Sequence, residues 1–334
     1  MEFGVLQQVE APVEEQSTSL RDAGVCPPLT KTGKGSSIAH HGEIFQGVIE
    51  GPDGRLHRGL VSLPCDIYCS EATFTPDTTG TVRVTPHWKV KARKAIELML
   101  ARDKHSRRGG HLHIQSTVPI GWGLGSSTSD IMAAIRATAD AFRERITRRE
   151  AAALAVKAET ASDSTMFKYP LVLFAQREGA ILEQFSGQLP GLAVLGFNTD
   201  GTRRGINTLD LAPARYSSWE IEAFRPLVGL LRRAIETQDP KAIGCVATAS
   251  AYLNQKHLPL PHFDRLIKIK ETVGALGLQI AHSGTVAGLL FDVHDPEKEH
   301  RVNHAKRLIH EMGFRETGRF QIEANDGGED GARD

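Results

Sequence analysis

Cysteine is scarce in this chain. Its 334 residues contain four, Cys26, Cys65, Cys69 and Cys245, and none forms a C-x-x-C pair. A disulfide framework is therefore not expected, and a reducing cytoplasm is the compartment that fits. Cys65 and Cys69 stand four apart on a predicted strand, share a face in that reading, and read as small core or edge residues rather than metal ligands. Long apolar runs are lacking too. None approaches the roughly 18–20 residues of a membrane-spanning helix. Residues 1–27 are polar and acidic and carry no apolar signal region, so secretion is not expected. Neither sign of charge is in excess, with Lys plus Arg and Asp plus Glu at 40 each. That balance argues against a nucleic-acid or membrane-surface binder, which usually carries a basic surplus. No internal repeat is visible.

What is present is a mixed pattern of helix and strand. Residues 1–28 lack periodicity and read as a flexible arm, and residues 324–334, rich in Gly and Asp, read as a disordered tail. Between them a composition shift near Gly187–Pro190 suggests two domains, 29–188 and 189–323. Strands are expected near Ile44–Glu50, Gly59–Phe74 and Thr81–Thr85, then a helix near Trp88–Ala101. Leu112, Ile114 and Val118 at even spacing predict a strand with one buried face. A helix with Ile131, Ile135, Thr138 and Phe142 on one face follows. Thr147 and Glu150 form a capping box that starts another, running to about Thr160. Asp239-Pro240 opens a helix that buries Ile243, Val246 and Leu253. A helix from Phe263 ends at Gly277, strands follow at Gln279–Ala281 and Val286–Val293, Asp295-Pro296 opens a helix to Gly313, and Arg319–Ile322 is a strand. This irregular order points to an α+β fold rather than a doubly wound sheet.

The segment Pro119-Ile120-Gly121-Trp122-Gly123-Leu124-Gly125-Ser126-Ser127 lies between a predicted strand and a predicted helix. Glycines admit close approach of backbone to a ligand, and the helix N-terminus offers unpaired N–H groups and a positive dipole end. Together they form an anion site suited to a di- or triphosphate. The hydroxyls of Ser126 and Ser127 can bond phosphate oxygens or ligate Mg²⁺, a hard cation. No lysine follows the glycines, so this is not a Walker A loop, and the G-x-G-x-G spacing is not the dinucleotide fingerprint.

Pro119 to Ser127 resembles the phosphate-binding motif of the GHMP kinases: galactokinase, homoserine kinase, mevalonate kinase and phosphomevalonate kinase. Two further motifs of that family have counterparts. Gly33 to Gly47 occupies the place of the first, with His40-His41-Gly42-Glu43 in its core where the usual Ala-Pro-Gly opening is absent. His-His-Gly-Glu-x-x-Gln-Gly is similar to the L-threonine kinases that serve cobalamin synthesis. Ala281 to Leu290 stands in the place of the third motif and also matches that branch. The resemblance covers about residues 30 to 322. It implies a ribosomal S5 domain 2-like N-terminal domain that binds ATP and a ferredoxin-like C-terminal domain, with the site between them.

It also implies roles. ATP phosphates would sit on Pro119, Gly121, Gly123, Leu124, Gly125, Ser126 and Ser127. Glu159, a carboxylate in the last turn of its predicted helix, would hold Mg²⁺ together with Ser127. Asp163, in the serine-rich stretch beyond, would be the base or the orienting group for the acceptor hydroxyl, with an Asx-turn or cap as the competing reading. Lys34 is the candidate cation facing phosphate or developing charge, against a plain surface lysine. His41, Glu43 and Gln46, with Ser283, Gly284 and Thr285 of the third motif, are the candidates for the substrate pocket, Glu43 for an ammonium group. His111 and His113 read as a polar strand face.

The expected activity is ATP-dependent phosphorylation of the side-chain hydroxyl of L-threonine, giving O-phospho-L-threonine. Another hydroxy amino acid or small alcohol (serine, homoserine, a secondary-metabolite intermediate) stays open, because one methyl is worth only ~1–3 kcal/mol in a pocket. A nucleotide-binding regulator without turnover is the reading from another class. The partner is a small molecule, with no nucleic acid and no membrane. A homodimer is allowed for.

Overall fold

The computed structural model describes residues 31–102, 108–167, 169–200, 214–281 and 284–323. The arm and tail expected at 1–28 and 324–334 lie outside the described residues.

The first half is built on a long antiparallel hairpin, β1 (Gly33–Glu50) with β2 (Leu56–Asp77). Against β2 runs β4 (Gly109–Ser116), and β3 (Val82–Thr85) lies parallel to β4 after a crossover through helix α1 (Val90–Ala101). A short hairpin, β5 (Val172–Ala175) with β6 (Ala180–Gln184), pairs with β2 at Gly59 and Leu60. The second half contributes β7 (Leu192–Asn198), β8 (Gly277–Ile280), β9 (Val286–Asp292) and β10 (Arg315–Ile322). Their order in the sheet is β10-β7-β9-β8, with antiparallel neighbours throughout. Counting only these four, that is fourth, first, third, second, the ferredoxin-like arrangement expected for this half. All ten strands share one sheet. Among the described residues the two halves join along the ladder at one position, Glu43 opposite Ile280.

Helices α2 (Ser126–Phe142) and α3 (Arg148–Glu159) complete the first half, and α4 (Ser218–Glu236), α5 (Pro240–Asn254), α6 (Phe263–Val273) and α7 (Lys298–Glu311) the second. Helix α2 is alanine-rich and lies directly on β1. A Cβ on Gly35 would come within 2.4 Å of the Ala133 carbonyl oxygen, and one on Gly33 within 2.1 Å of that of Ala137. The side chains expected on its inner face, Ile131, Ile135, Thr138 and Phe142, are all buried. The capping box at α3 is present as read, with the Thr147 hydroxyl accepting from the Glu150 amide and the Glu150 carboxylate accepting from that of Thr147. Asp239 caps α5 without a reciprocal partner, its carboxylate accepting from the Lys241 and Ala242 amides.

Several boundaries move. Strand β1 begins at Gly33, so the whole His-His-Gly-Glu motif is strand. Helix α6 ends at Gly274, which takes the left-handed conformation at φ 67°, while Gly277 opens β8. Helix α7 begins at Lys298; Asp295 instead makes a turn in which its carboxylate accepts from the Glu297 amide. Between Cys65 and Cys69 the register against β1 jumps, Ala39 pairing with Cys65 and Ile38 with Cys69. That bulge breaks the alternation which would have put both cysteines on one face, leaving Cys65 buried and Cys69 half-buried.

Candidate active site

The glycine-rich segment is held from two sides. The His40 amide of β1 donates to the Leu124 carbonyl at 3.2 Å, and the Thr285 amide, from the loop between β8 and β9, donates to the Trp122 carbonyl at 3.1 Å. Leu124 plugs a small apolar cluster with Ala39, Val118, Ala281 and Val286. Gly121, Gly123 and Gly125 all have positive φ, 79°, 82° and 71°. Gly125 is the N-cap of α2, so Ser126 and Ser127 form its first turn and no side chain caps it. The helix therefore presents open N–H groups and its positive end at this point, as an anion site requires. Pro119 and Ile120 lead into the loop, half-buried and exposed respectively.

The segment after α3 comes up against that helix start. The Thr128 hydroxyl donates to the Glu159 carboxylate at 2.8 Å, and Lys91 Nζ of α1 lies 3.7 Å from its other oxygen. Burial pushes the Glu159 carboxyl up from 4.5 to about 7; the bonds from Ser127 and Thr128 and the Lys91 charge oppose that rise, and the Asp163 charge adds to it. Reciprocal bonds anchor the next residues on β2: the Ser62 amide donates to the Ser164 hydroxyl at 3.2 Å and the Ser164 amide to the Ser62 hydroxyl at 3.3 Å. These bonds fix the position of Asp163, whose own amide reaches Thr128 Oγ1 at 3.4 Å.

A partner for Asp163 that the sequence reading did not single out comes from β1. His40 Nε2 stands 3.0 Å from Asp163 Oδ2, an ion-pair distance. On the other edge of the ring, Nδ1 meets the Gly42 carbonyl at 3.2 Å and Glu43 Oε1 at 3.5 Å. Burial alone would lower the His40 pKa. The charge and bonding of Asp163, with the Glu43 charge and the Gly42 carbonyl, outweigh it and raise the pKa to about 9. Gly42, at φ 74°, is where the register of β1 against β2 shifts. The bulge returns Glu43 to the face of His40, which strict alternation would have denied it.

The other predicted residues are distributed as follows. His41 faces away, fully buried in the second half between Thr317 Oγ1 at 3.1 Å and Gln279 Nε2 at 2.6 Å, with its ring against Phe320. Burial and the neighbouring His40 charge drive its pKa down to about 3, so it is a neutral core histidine and does not line the site. Glu43 is buried against His40. Gln46 is docked on α5, its carbonyl accepting from Ser250 and Asn254. Lys34 is removed from the phosphate loop: its amide donates to Asp140 near the far end of α2, about 20 Å along the helix from Ser126. Among the described residues, the cations that do approach are Lys91 and Lys89, the latter paired with the buried Asp130 of α2. A sequence cue for these was their position at the predicted start of α1, but only the tertiary structure brings that end to α2.

Ser283 lies outside the described residues. Gly284 is packed on the loop, where a Cβ would fall 2.0 Å from the Trp122 carbonyl oxygen. Thr285 lines a cavity of about 250 Å³ together with Thr199, Asp200, Leu258, Leu260 and Ile280. Its hydroxyl is buried and has no hydrogen-bond partner among the described residues. The site thus has an anion cradle at α2, a buried carboxylate beside hydroxyl oxygens, a second carboxylate against a charged imidazole, and an adjoining cavity. Glu159 with Ser127 and Thr128 is an all-oxygen set whose buried carboxylate lacks a full countercharge, and this suits Mg²⁺.

A family model described as the GHMP kinases N terminal domain matches residues 90–169. The chain is 29% identical over 279 residues to an L-threonine kinase of Salmonella typhimurium, covering 81% of this chain and 85% of that protein. Its structure is similar to a homoserine kinase from Cytophaga hutchinsonii (TM-score 0.64, 17% identity, 88% of this chain and 95% of that one). It is also similar to the Streptococcus pneumoniae phosphomevalonate kinase (TM-score 0.61, 12% identity, 88% and 100%). These structures share its α+β architecture across both halves.

Proposed function

Because this chain belongs to the GHMP kinase superfamily, and is thereby a small-molecule kinase, we propose that it phosphorylates the side-chain hydroxyl of L-threonine with Mg-ATP. The observation that carries the proposal is the convergence of Asp163 and Glu159 on the open N-terminus of α2. In this reading the polyphosphate lies on the N–H groups of Gly123 to Ser127. Glu159 and Ser127 would hold Mg²⁺, which supplies positive charge against the phosphate oxygens. Asp163 aligns the acceptor hydroxyl. The acceptor oxygen bonds to the γ-phosphorus as the bridging P–O bond to the β-phosphate breaks, and the hydroxyl proton passes to Asp163 or to solvent. Catalysis is then mostly positioning and charge stabilisation.

The acceptor pocket in this reading is the cavity beside Gly284 and Thr285. An amino acid with a short side chain needs a carboxylate for its ammonium, a polar contact for its other end and apolar wall for a methyl. Asp200, the buried Thr285 hydroxyl, and Leu258, Leu260 and Ile280 offer these. Glu43, expected to meet the ammonium, is committed to His40. Asp200→Asn should therefore raise KM for the amino acid about tenfold or more while leaving KM for ATP within twofold, as measured by coupled ADP release. An equal rise in both would remove Asp200 from the pocket.

The deciding assay is ADP release with Mg-ATP and L-threonine, L-serine, L-homoserine, D-threonine or mevalonate, with product mass. Turnover fastest on L-threonine, with the mass gain of one phosphoryl group, is the expected result. Turnover on another acceptor alone would keep the kinase and discard threonine. ATP binding with no turnover on any acceptor would favour the regulatory reading.

A further inference from the structure

We infer that His40 and Glu43 act as a pair of positioning residues for Asp163, an inference that rests on the kinase reading of Asp163. The imidazole stands between two carboxylates in a buried pocket. Asp163 Oδ2 lies 3.0 Å from Nε2, and Glu43 Oε1 lies 3.5 Å from Nδ1, with the Gly42 carbonyl at 3.2 Å. His40 and Glu43 are almost wholly buried, whereas the Asp163 side chain is 19% exposed. The arrangement therefore runs from the interior outward: Glu43, then His40, then the carboxylate that faces the site.

A buried ring flanked by acceptors on both edges is satisfied only when both nitrogens carry protons. In that state it places one positive charge between two negative ones, and breaking such a set leaves an uncompensated buried charge. The geometry also explains two glycines. Gly42 makes the bulge that brings Glu43 to the His40 face. Gly125 leaves room for the ring and the acid, since a Cβ there would lie 2.3 Å from His40 Cδ2 and 2.8 Å from Asp163 Oδ2. Sequence neighbours of His40 do not share its environment: His41 points to the opposite side and is neutral.

The three side chains each offer an atom within 4.8 Å of the others, so a metal ion is the competing occupant. A metal needs a neutral imidazole with a lone pair aimed at it. Here the ring itself occupies the space between the two acids, so the set is closed by a proton-bearing cation and not by a metal. The consequence for Asp163 is a fixed carboxylate, pinned by His40 behind it and by the Ser62–Ser164 bonds beside it. Glu43 touches neither the acceptor nor nucleotide in this scheme and is placed to act through His40.

The test is imidazole ¹⁵N–¹H NMR on protein labelled with ¹⁵N-histidine, at pH 8, with His40 assigned by loss of its signals in His40→Gln. The expected result is a ring with both nitrogens protonated at a pH where an ordinary histidine is neutral. In Glu43→Gln the His40 signals should move toward the neutral form, and kcat should fall about tenfold or more with KM for ATP within twofold. Glu43→Asp should recover part of kcat. A neutral His40 in the parent, or Glu43→Gln with parental kcat, would overturn the inference. Should His40→Gln not fold, the perturbation by Glu43→Gln assigns the signals. If no acceptor is phosphorylated at all, the kinase reading fails, while the NMR result still decides whether the trio exists.

Discussion

Glu159→Gln is expected to abolish turnover, by about a thousandfold or more, while making the nucleotide-free protein more stable at pH 8. Both effects have one origin. The Glu159 side chain is 3% exposed, and its nearest ammonium, Lys91, is 3.7 Å away and half-exposed. A buried carboxylate without full compensation prefers its proton, which is why its pKa rises to about 7. The sign follows from proton counting. Between the unfolded value of 4.5 and about 7 the folded protein holds a proton that the unfolded chain has released. Stability contributed by this group therefore falls as pH rises through that window, and the cost is complete above it, roughly 3 kcal/mol. Glutamine keeps the acceptor oxygen for Thr128 and carries no charge, so the melting temperature should rise above pH 7 and change little below pH 4.5. Turnover falls because a neutral amide cannot offer a divalent cation the anionic oxygen that the all-oxygen set supplies. Thermal melts across pH 4–9, paired with ADP release, check both halves. A variant that lost stability at pH 8 and kept its turnover would show that Glu159 is a structural acid and nothing more.

Gly125→Ala should be the most damaging of the small substitutions in the loop. An alanine at φ 71° costs about 1–2 kcal/mol in backbone conformation alone. Its methyl would also meet the His40 ring at 2.3 Å, and that ring is buried between two acids and cannot swing aside. Either the first turn of α2 or the His40–Asp163 contact must shift. We expect nucleotide affinity to fall at least tenfold and kcat at least a hundredfold. Gly313→Ala is the control. Gly313 has φ 80° and nothing within 4 Å of an added Cβ, so it bears the conformational cost without the collision. Nucleotide titration by fluorescence and melting temperatures for both variants separate the two contributions. Equal losses in the two would mean that only backbone strain matters.

The parts of this structure that depend on local chemistry were legible from the residues. The glycine loop, the helix behind it and the Thr147–Glu150 box are each written within a few consecutive positions. That Glu159 falls in the last turn of α3 was legible because that helix has a clear start and therefore a countable end; its pairing with Asp163 came from the family resemblance alone. What escaped depends on register and long-range contact. The choice between His40 and His41 turns on which face of β1 looks toward the helices, and no periodicity in a strand buried on both faces reveals that. Lys34 looked close to the site because it shares a motif with His40; six residues of extended chain carried it to the other end of α2. Asp200 and Leu258 meet only because the end of β7 and the α5–α6 loop are brought to one cavity. Helix α4, with Pro226 inside it, and the fully buried β7 carried weak punctuation beside the break near Gly187 and went unread.

Strand β1 has a consequence for how this protein can change over generations. It is 18 residues long, and it places a charged histidine on one side and a neutral one on the other at adjacent positions. Deleting or inserting a single residue ahead of them would exchange their sides, turning His41 to the Asp163 face and His40 to the face of Thr317 and Gln279. The length of this strand is therefore inherited as a frame, intolerant of drift, whatever substitutions it accepts. If the cavity is the acceptor pocket, as proposed, new acceptor specificities would arise in the loops around it, where length is freer to vary.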